Sequence, residues 1–232
     1  MPSIQSTKNS GKRFAVFDID GTLIRWQLYH AVVDRLAKKQ LLGKNSKQLL
    51  NEARMHWKRR EHPEAFKKYE VELINIYETA LGQLTTDQFD KAVSEIANEY
   101  RFQTYAFTKD FAKSLKNKGY VLIAISGSHQ ELVNDVARQH GFDICVGTQY
   151  ERKNGHFTGK KTVGSHGKLS TLKGIIAEHS LVNEASYGIG DSESDSEMLA
   201  SVENPIAFNP DSKLYEIAKN SGWPIIVERK NV

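Results

Sequence analysis

The stretch Phe14-Ala15-Val16-Phe17-Asp18-Ile19-Asp20-Gly21-Thr22 constrains the chain more than any other. An apolar run of strand length stops abruptly in two aspartates, a glycine and a threonine. Side chains alternate along a strand, so Asp18 and Asp20 share a side only where the backbone is still nearly extended. Gly21 then lets the chain turn away. In an open α/β sheet, ligands bind in the crevice beyond the carboxyl ends of the strands, and a strand ending in Asp-x-Asp delivers two carboxylates there. At an effective dielectric of about 20 and a separation of about 4 Å, two such charges repel by roughly 4 kcal/mol. Protonation of one, or a cation between them, relieves that cost. All-oxygen ligands favour Mg²⁺ or Ca²⁺ over zinc. A plain Asx-capped turn fits the same residues, so the rest of the chain must decide.

From Trp26 to about Arg101 the apolar residues recur at helical spacing. Leu28, Val32, Val33 and Leu36 form one stripe. Phe66, Tyr69, Leu73, Ile76 and Tyr77 form a second, and Phe89, Val93, Ile96 and Ala97 a third. These stripes read as the core of a small helical bundle. Pro63 suits a first helical position, and Thr86-Asp87 suits a helix start.

Strand–helix alternation then resumes. A helix is predicted over Asp110–Lys118, ended by Gly119. Tyr120–Ile125 is a continuous apolar run, as a parallel strand covered on both faces requires. It stops in Ser126-Gly127-Ser128 before a helix over Glu131–Gln139, a junction whose hydroxyl and backbone N–H groups suit a phosphate. A short strand follows over Phe142–Val146, then a hairpin centred on Asn154-Gly155. Gly164–Gly167 reads as a loop. Lys168 opens a helix running to about His179, where the helix dipole disfavours a lysine unless it meets an anion. Ala185–Ile189 is a strand that stops in Gly190-Asp191-Ser192-Glu193-Ser194-Asp195, so carboxylates again stand at a strand end. Pro205–Phe208 and Trp223–Val227 are read as further strands, with a helix over Asp211–Lys219 between them.

Composition excludes several classes. No apolar run reaches the roughly 20 residues of a membrane span. Met1–Lys12 is polar and lacks the apolar middle of a signal peptide. Cys145 is the only cysteine, which rules out an internal disulfide and a thiolate metal site, so a cytoplasmic location is expected. A net charge of +4 and the basic run Arg54–Arg60 suit a solvated helix face better than a nucleic-acid interface. His129 and His166 are expected on loop surface, and Trp26, Trp57 and Trp223 in core packing.

Asp-Ile-Asp-Gly-Thr, Ile-Ser-Gly-Ser, Lys168 and Gly-Asp-Ser-Glu-Ser-Asp, in that order over nearly the whole chain, resemble the four motifs of the haloacid dehalogenase-like phosphatases. The helical insert and the hairpin before the lysine are similar to the phosphoserine phosphatase-like branch. The resemblance implies a Rossmann-like parallel sheet with helices on both faces (residues 1–24 and 103–232), plus an inserted all-α cap over 25–102. It further implies hinges near Ile24–Arg25 and Phe102–Thr104. By the same resemblance Asp18 is the nucleophile and Asp20 the general acid and base. Ser126, Gly127 and Lys168 bind the phosphoryl group. Mg²⁺ is held by Asp18, the backbone carbonyl of Asp20 and Asp191. Asp195 either orients Lys168 or a metal-bound water or ligates directly, and Thr22 fixes the first loop through a hydroxyl bond to backbone. The implied substrate is a small phosphorylated metabolite. An acid at Asp20 separates this chain from dehalogenases, which have no alkoxide to protonate. Gln27 stands where phosphoserine phosphatases carry a glutamate for the substrate ammonium, which argues against phosphoserine itself. The cap arginine of that branch has candidates in Arg54, Arg59, Arg60, Lys67 and Lys68. Transfer to an acceptor other than water, or a non-catalytic binding role, are the alternatives.

Overall fold

The computed structural model describes residues 11–60, 62, 64–163 and 167–228. The expected roles of Pro63 and His166, and most of the 164–167 loop, lie outside them.

Strand Arg13–Phe17 (β1) occupies the middle of a seven-stranded sheet among the described residues. Phe14 to Phe17 are fully buried, which requires cover on both faces. Phe14 and Val16 face one apolar cluster, Ala15 and Phe17 the other. Val121–His129 (β2) pairs with β1 on one side, in the register Phe14–Val121. Val182–Gly190 (β5) pairs with it on the other, in the register Phe17–Ile189. Ile144–Lys153 (β3) and His156–Thr162 (β4) extend the sheet beyond β2. Asn204–Phe208 (β6) and Ile225–Ile226 (β7) extend it beyond β5, giving the order β4-β3-β2-β1-β5-β6-β7. All pairings are parallel except β3–β4, which is antiparallel. Order reverses on either side of β1, and such switch points are where α/β sheets open a crevice.

Between β1 and β2 run helices Leu28–Lys38 (α1), Ser46–Lys58 (α2), Ala65–Leu81 (α3) and Thr86–Tyr100 (α4). The α1 stripe is as expected, with Leu28, Val32, Val33 and Leu36 all fully buried. Each contributes on the order of 1.5–3 kcal/mol by leaving water. The start of α4 differs by one residue. Thr85 rather than Thr86 is the cap, with Gln88 returning a bond to the Thr85 N–H in a capping box.

After the insert come Ala106–Asn117 (α5), Gln130–Gln139 (α6), Lys168–Glu178 (α7), Ser196–Ala200 (α8) and Ser212–Ser221 (α9). Helix α5 begins four residues before the expected start. Its first N–H groups, Ala106 and Phe107, donate to the two carboxylate oxygens of Glu228 at 3.0 and 2.8 Å. Strand β3 joins into one element what the sequence divides into a strand and a hairpin arm. Asn154 and Gly155 have φ of 52° and 78°, the pair of left-handed residues a tight hairpin turn needs. Trp57 packs against Phe66 and Tyr69, and Trp223 against the second cluster. Trp26 does not pack as expected: it is 38 % exposed, on the link into α1.

Candidate active site

Three neighbouring strands deliver the acidic and hydroxyl groups to one end of the sheet. Asp18 continues β1, its N–H donating to Ile189 O at 2.9 Å. The chain then folds over itself, with the N–H groups of Leu23 and Ile24 both donating to Ile19 O. Gly21 is required at this turn twice over. Its φ is +86°, and a Cβ there would stand 2.1 Å from Asp191 Oδ2. Ser126 lies on β2 and Asp191 follows β5 directly.

Lys168, the first residue of α7, is 4 % exposed, and its Nζ donates to Asp18 Oδ1 at 2.7 Å and to Asp195 Oδ1 at 2.5 Å. A lysine at a helix start is thus stabilised by two carboxylates that outweigh the unfavourable dipole. Asp195 Oδ2 accepts from the N–H groups of Asp191 and Ser192 at 3.1 and 3.0 Å and from the Ser192 hydroxyl at 3.1 Å. Asp195 thus meets Lys168 through one oxygen and the backbone N–H groups through the other.

Asp20 Oδ2 accepts from the Ser126 hydroxyl at 2.6 Å, and Oδ1 from the Leu28 N–H at 2.5 Å. The Ser126 oxygen accepts in turn from the Ser128 N–H at 2.9 Å. Gly127 is exposed, and its carbonyl accepts from the Thr148 hydroxyl at 2.7 Å. Gln27 is the residue before α1, half-buried, its side chain making no cap bond. Thr22 corrects the expectation of a backbone bond. Its hydroxyl points to Asp191 Oδ1 at 3.4 Å, and its carbonyl accepts from the Thr108 hydroxyl at 2.8 Å. A fully buried hydroxyl takes the acceptor that the fold places beside it, here the Asp191 carboxyl.

Burial dominates the electrostatics. It raises Asp18 to about 7 against the pull of Lys168, with Asp195 and Asp20 adding to the rise. It also raises Asp191 well above the usual carboxylate range, with Asp18 and Asp195 adding to the shift. Asp20 is raised by burial and held back by its bonds from Ser126 and Leu28. Burial pushes Lys168 down, and the two aspartates outweigh it, holding the ammonium above the ordinary lysine value. Four carboxylates facing one ammonium leave the cluster short of positive charge. Oxygens of Asp18, Asp191 and Asp195 lie within 4.8 Å of one another. Together these three offer the acidic oxygens of a candidate cation site. An all-oxygen set of this kind fits a hard divalent cation.

The family model for haloacid dehalogenase-like hydrolases matches residues 15–200. The chain belongs to that family. It is similar to a histidinol-phosphatase of Neisseria meningitidis, at 26 % identity over 93 % of this chain and 98 % of that protein. It is also similar to a phosphoserine phosphatase of Archaeoglobus fulgidus, at 26 % identity over 93 % of this chain but 58 % of that longer protein. Among solved structures, a protein of unknown function from Bordetella pertussis superposes with a TM-score of 0.75 at 22 % identity, covering 94 % of this chain and 99 % of that one. A phosphoserine phosphatase in a phospho-aspartyl intermediate analogue superposes with a TM-score of 0.62 at 21 % identity, covering 95 % of each. At these identities the superpositions establish the haloacid dehalogenase-like fold with its helical cap.

Two residues at this site escape the sequence. His129, expected on a loop surface, is fully buried because β2 runs on past Ser126 through a register shift, as far as a pairing of His129 with Thr148. Tyr29 stacks on it. Neither has a local signal, since one ring comes from α1 of the insert and the other from the end of β2. Arg54, a candidate for the substrate carboxylate, is held by Asp34 and by the Tyr69 hydroxyl inside the insert.

Proposed function

We propose that the protein is a Mg²⁺-dependent phosphatase that hydrolyses a small phosphomonoester through a phosphoryl-aspartate on Asp18, with residues 25–102 acting as a cap. The observation that carries this is the Lys168 ammonium seated between Asp18 and Asp195. It fixes the Asp18 carboxylate beside a cation that can also meet a phosphoryl oxygen. A phosphoryl transition state needs mainly positioning and positive charge around its equatorial oxygens.

Asp18 attacks phosphorus through a carboxylate oxygen, and the bond to the leaving oxygen breaks. Asp20 gives that oxygen its proton, then takes one from the water that hydrolyses the acyl phosphate. The bonds from Leu28 and Ser126 hold the Asp20 carboxyl in one orientation for both steps. Lys168 carries positive charge toward the transferring group. Asp18, the Asp20 carbonyl and Asp191 would hold Mg²⁺, which supplies charge neutralisation for the carboxylates and the phosphoryl oxygens. Ser126 and Gly127 line the phosphate side.

The neutral Gln27 and the internal pairing of Arg54 support a substrate other than phosphoserine. The deciding experiment is release of free phosphate from an aryl phosphate with Mg²⁺. Asp18→Asn should abolish turnover while leaving the thermal midpoint within a few degrees of wild type. Undiminished turnover in that variant would remove the nucleophile from the scheme, and product found on an organic acceptor instead of water would make the enzyme a phosphotransferase.

A further inference from the structure

Asp20 is gripped from two directions. The Leu28 N–H comes from the first residue of α1, and the Ser126 hydroxyl from the core sheet. The residue after Leu28 is Tyr29, and β2 continues from Ser126 to His129. These two rings stack with centroids 4.6 Å apart and planes 9° from parallel. Tyr77, Phe89 and Tyr150 enclose the His129 ring at 5.4, 5.0 and 5.4 Å. His129 Nε2 lies 3.2 Å from the Tyr77 hydroxyl, while Nδ1 has no hydrogen-bond partner among the described residues. The Tyr29 hydroxyl lies 3.1 Å from that of Tyr150.

A buried polar atom without a partner costs about 1–3 kcal/mol. A site that needed packing alone would carry a phenyl ring and avoid that cost. What the imidazole adds to a flat face against Tyr29 is a bond to Tyr77, which fixes the ring's rotation. The stack therefore ties the first turn of α1 to the end of β2, the two elements that hold Asp20.

We propose that the Tyr29–His129 stack positions Asp20 for proton transfer to the leaving group by locking its two hydrogen-bond donors in register. The proposal rests on the phosphatase chemistry above. Neither ring touches the Asp20 carboxylate, so both are positioning residues. Small errors in such a placement are expensive, since about 1 Å of misplacement can cost on the order of a hundredfold in rate.

The test compares two substrates on the full-length protein with Mg²⁺. An alkyl phosphate leaves as an alkoxide that needs a proton, whereas dinitrophenyl phosphate leaves as a stable phenolate. Tyr29→Leu should lower kcat on the alkyl phosphate about tenfold more than on the aryl one, a part of the roughly hundredfold to ten-thousandfold that a positioned acid supplies. KM should move in parallel for both. Tyr29→Phe keeps the ring and should recover most of the difference. In an Asp20→Asn background the difference should vanish, because no acid remains to be placed. His129→Leu removes the stack from the other side and should give the same split if Tyr29→Leu does not fold. Equal losses on both substrates, or a split that persists without Asp20, would overturn the proposal alone. Turnover retained by Asp18→Asn would overturn the phosphatase chemistry and the proposal together.

Discussion

His129 is neutral for the same reason that it is buried. Four aromatic rings surround it and no carboxylate offers it a partner, so burial, with Arg152 adding a smaller repulsion, pushes its pKa from 6.5 down to about 3. In the unfolded chain it binds its proton near 6.5. Between these values the unfolded state holds more protons, so stability rises with pH through the window. The contribution of neutral His129 is thus fully present above 6.5 and is lost as pH falls toward about 3. His129→Phe removes this titration but strands the Tyr77 hydroxyl. The variant should be less stable than wild type near neutrality, and the gap should narrow steadily as pH is lowered, read from denaturant midpoints. A gap that stays constant from pH 6.5 downward would show that His129 does not titrate there. Nothing local in the sequence marks this residue. Asp18, Asp20, Lys168 and Asp191 were legible because each stands at an end of a strand or helix, where an apolar pattern stops on a charge. His129 and Thr22 took their character from Tyr29, Tyr77 and Asp191, which the fold brings in from far along the chain.

Among the elements, α5 shows why boundaries were less legible than existence. Its apolar spacing is plain from Phe111 onward, and the N-cap position holds Tyr105, which makes no side-chain cap bond to mark an earlier start. The cap is Glu228, at the far end of the described chain, whose carboxylate takes both leading N–H groups and pairs with Arg25 at 2.9 Å. Bonds from Phe107, Ala106 and Arg25 outweigh burial and hold the Glu228 carboxyl below its usual range. Arg25 also donates to Thr104 O at 2.8 Å, so Glu228 clamps both chain crossings between the insert and the sheet. Glu228→Ala should cost about 1–2 kcal/mol, the upper part of the range for a lost helix cap, at an unchanged denaturant slope. Glu228→Gln keeps one acceptor and should cost less. If Glu228→Ala leaves the midpoint where it was, α5 does not depend on this distant cap. The interior place of strand β2, by contrast, followed from the apolar run Tyr120–Ile125 itself, because a run covered on both faces has few places in a sheet but the middle.

At the scale of the whole molecule, beside the Tyr29–His129 stack the insert meets the core along two seams of different kind. One is the clamp at Arg25, Thr104 and Glu228, where backbone also crosses: Arg25 N–H donates to Gln103 O, and Tyr105 N–H to Leu23 O. The other has no covalent crossing and is made by the β3–β4 hairpin reaching over to the insert. There Arg152 donates to both oxygens of Asp90 on α4 at 2.8 and 2.7 Å and to Glu131 on α6 at 2.6 Å, and lies over the rings of Phe89 and Phe157. Lys161 pairs with Glu78 beside it. A seam with chain crossings can bend but not part, whereas a seam of side chains and a backbone bond, Thr86 N–H to Gly155 O at 2.9 Å, can open. Motion of a cap over Asp18 would therefore pivot at Arg25 and break at Arg152. Forked Arg–carboxylate pairing is geometrically specific, and Lys at this position would keep the charge but not the fork. Arg152→Ala should favour the open arrangement, raising KM several-fold with a smaller change in kcat, because closure then has to be driven by substrate alone. Arg152→Lys should fall between the two, and Arg25→Lys, at the seam that does not part, should change thermal stability more than KM. The ordering is checked by steady-state kinetics alongside thermal melts of the three variants. A KM effect larger for Arg25 than for Arg152 would reverse the assignment of pivot and latch.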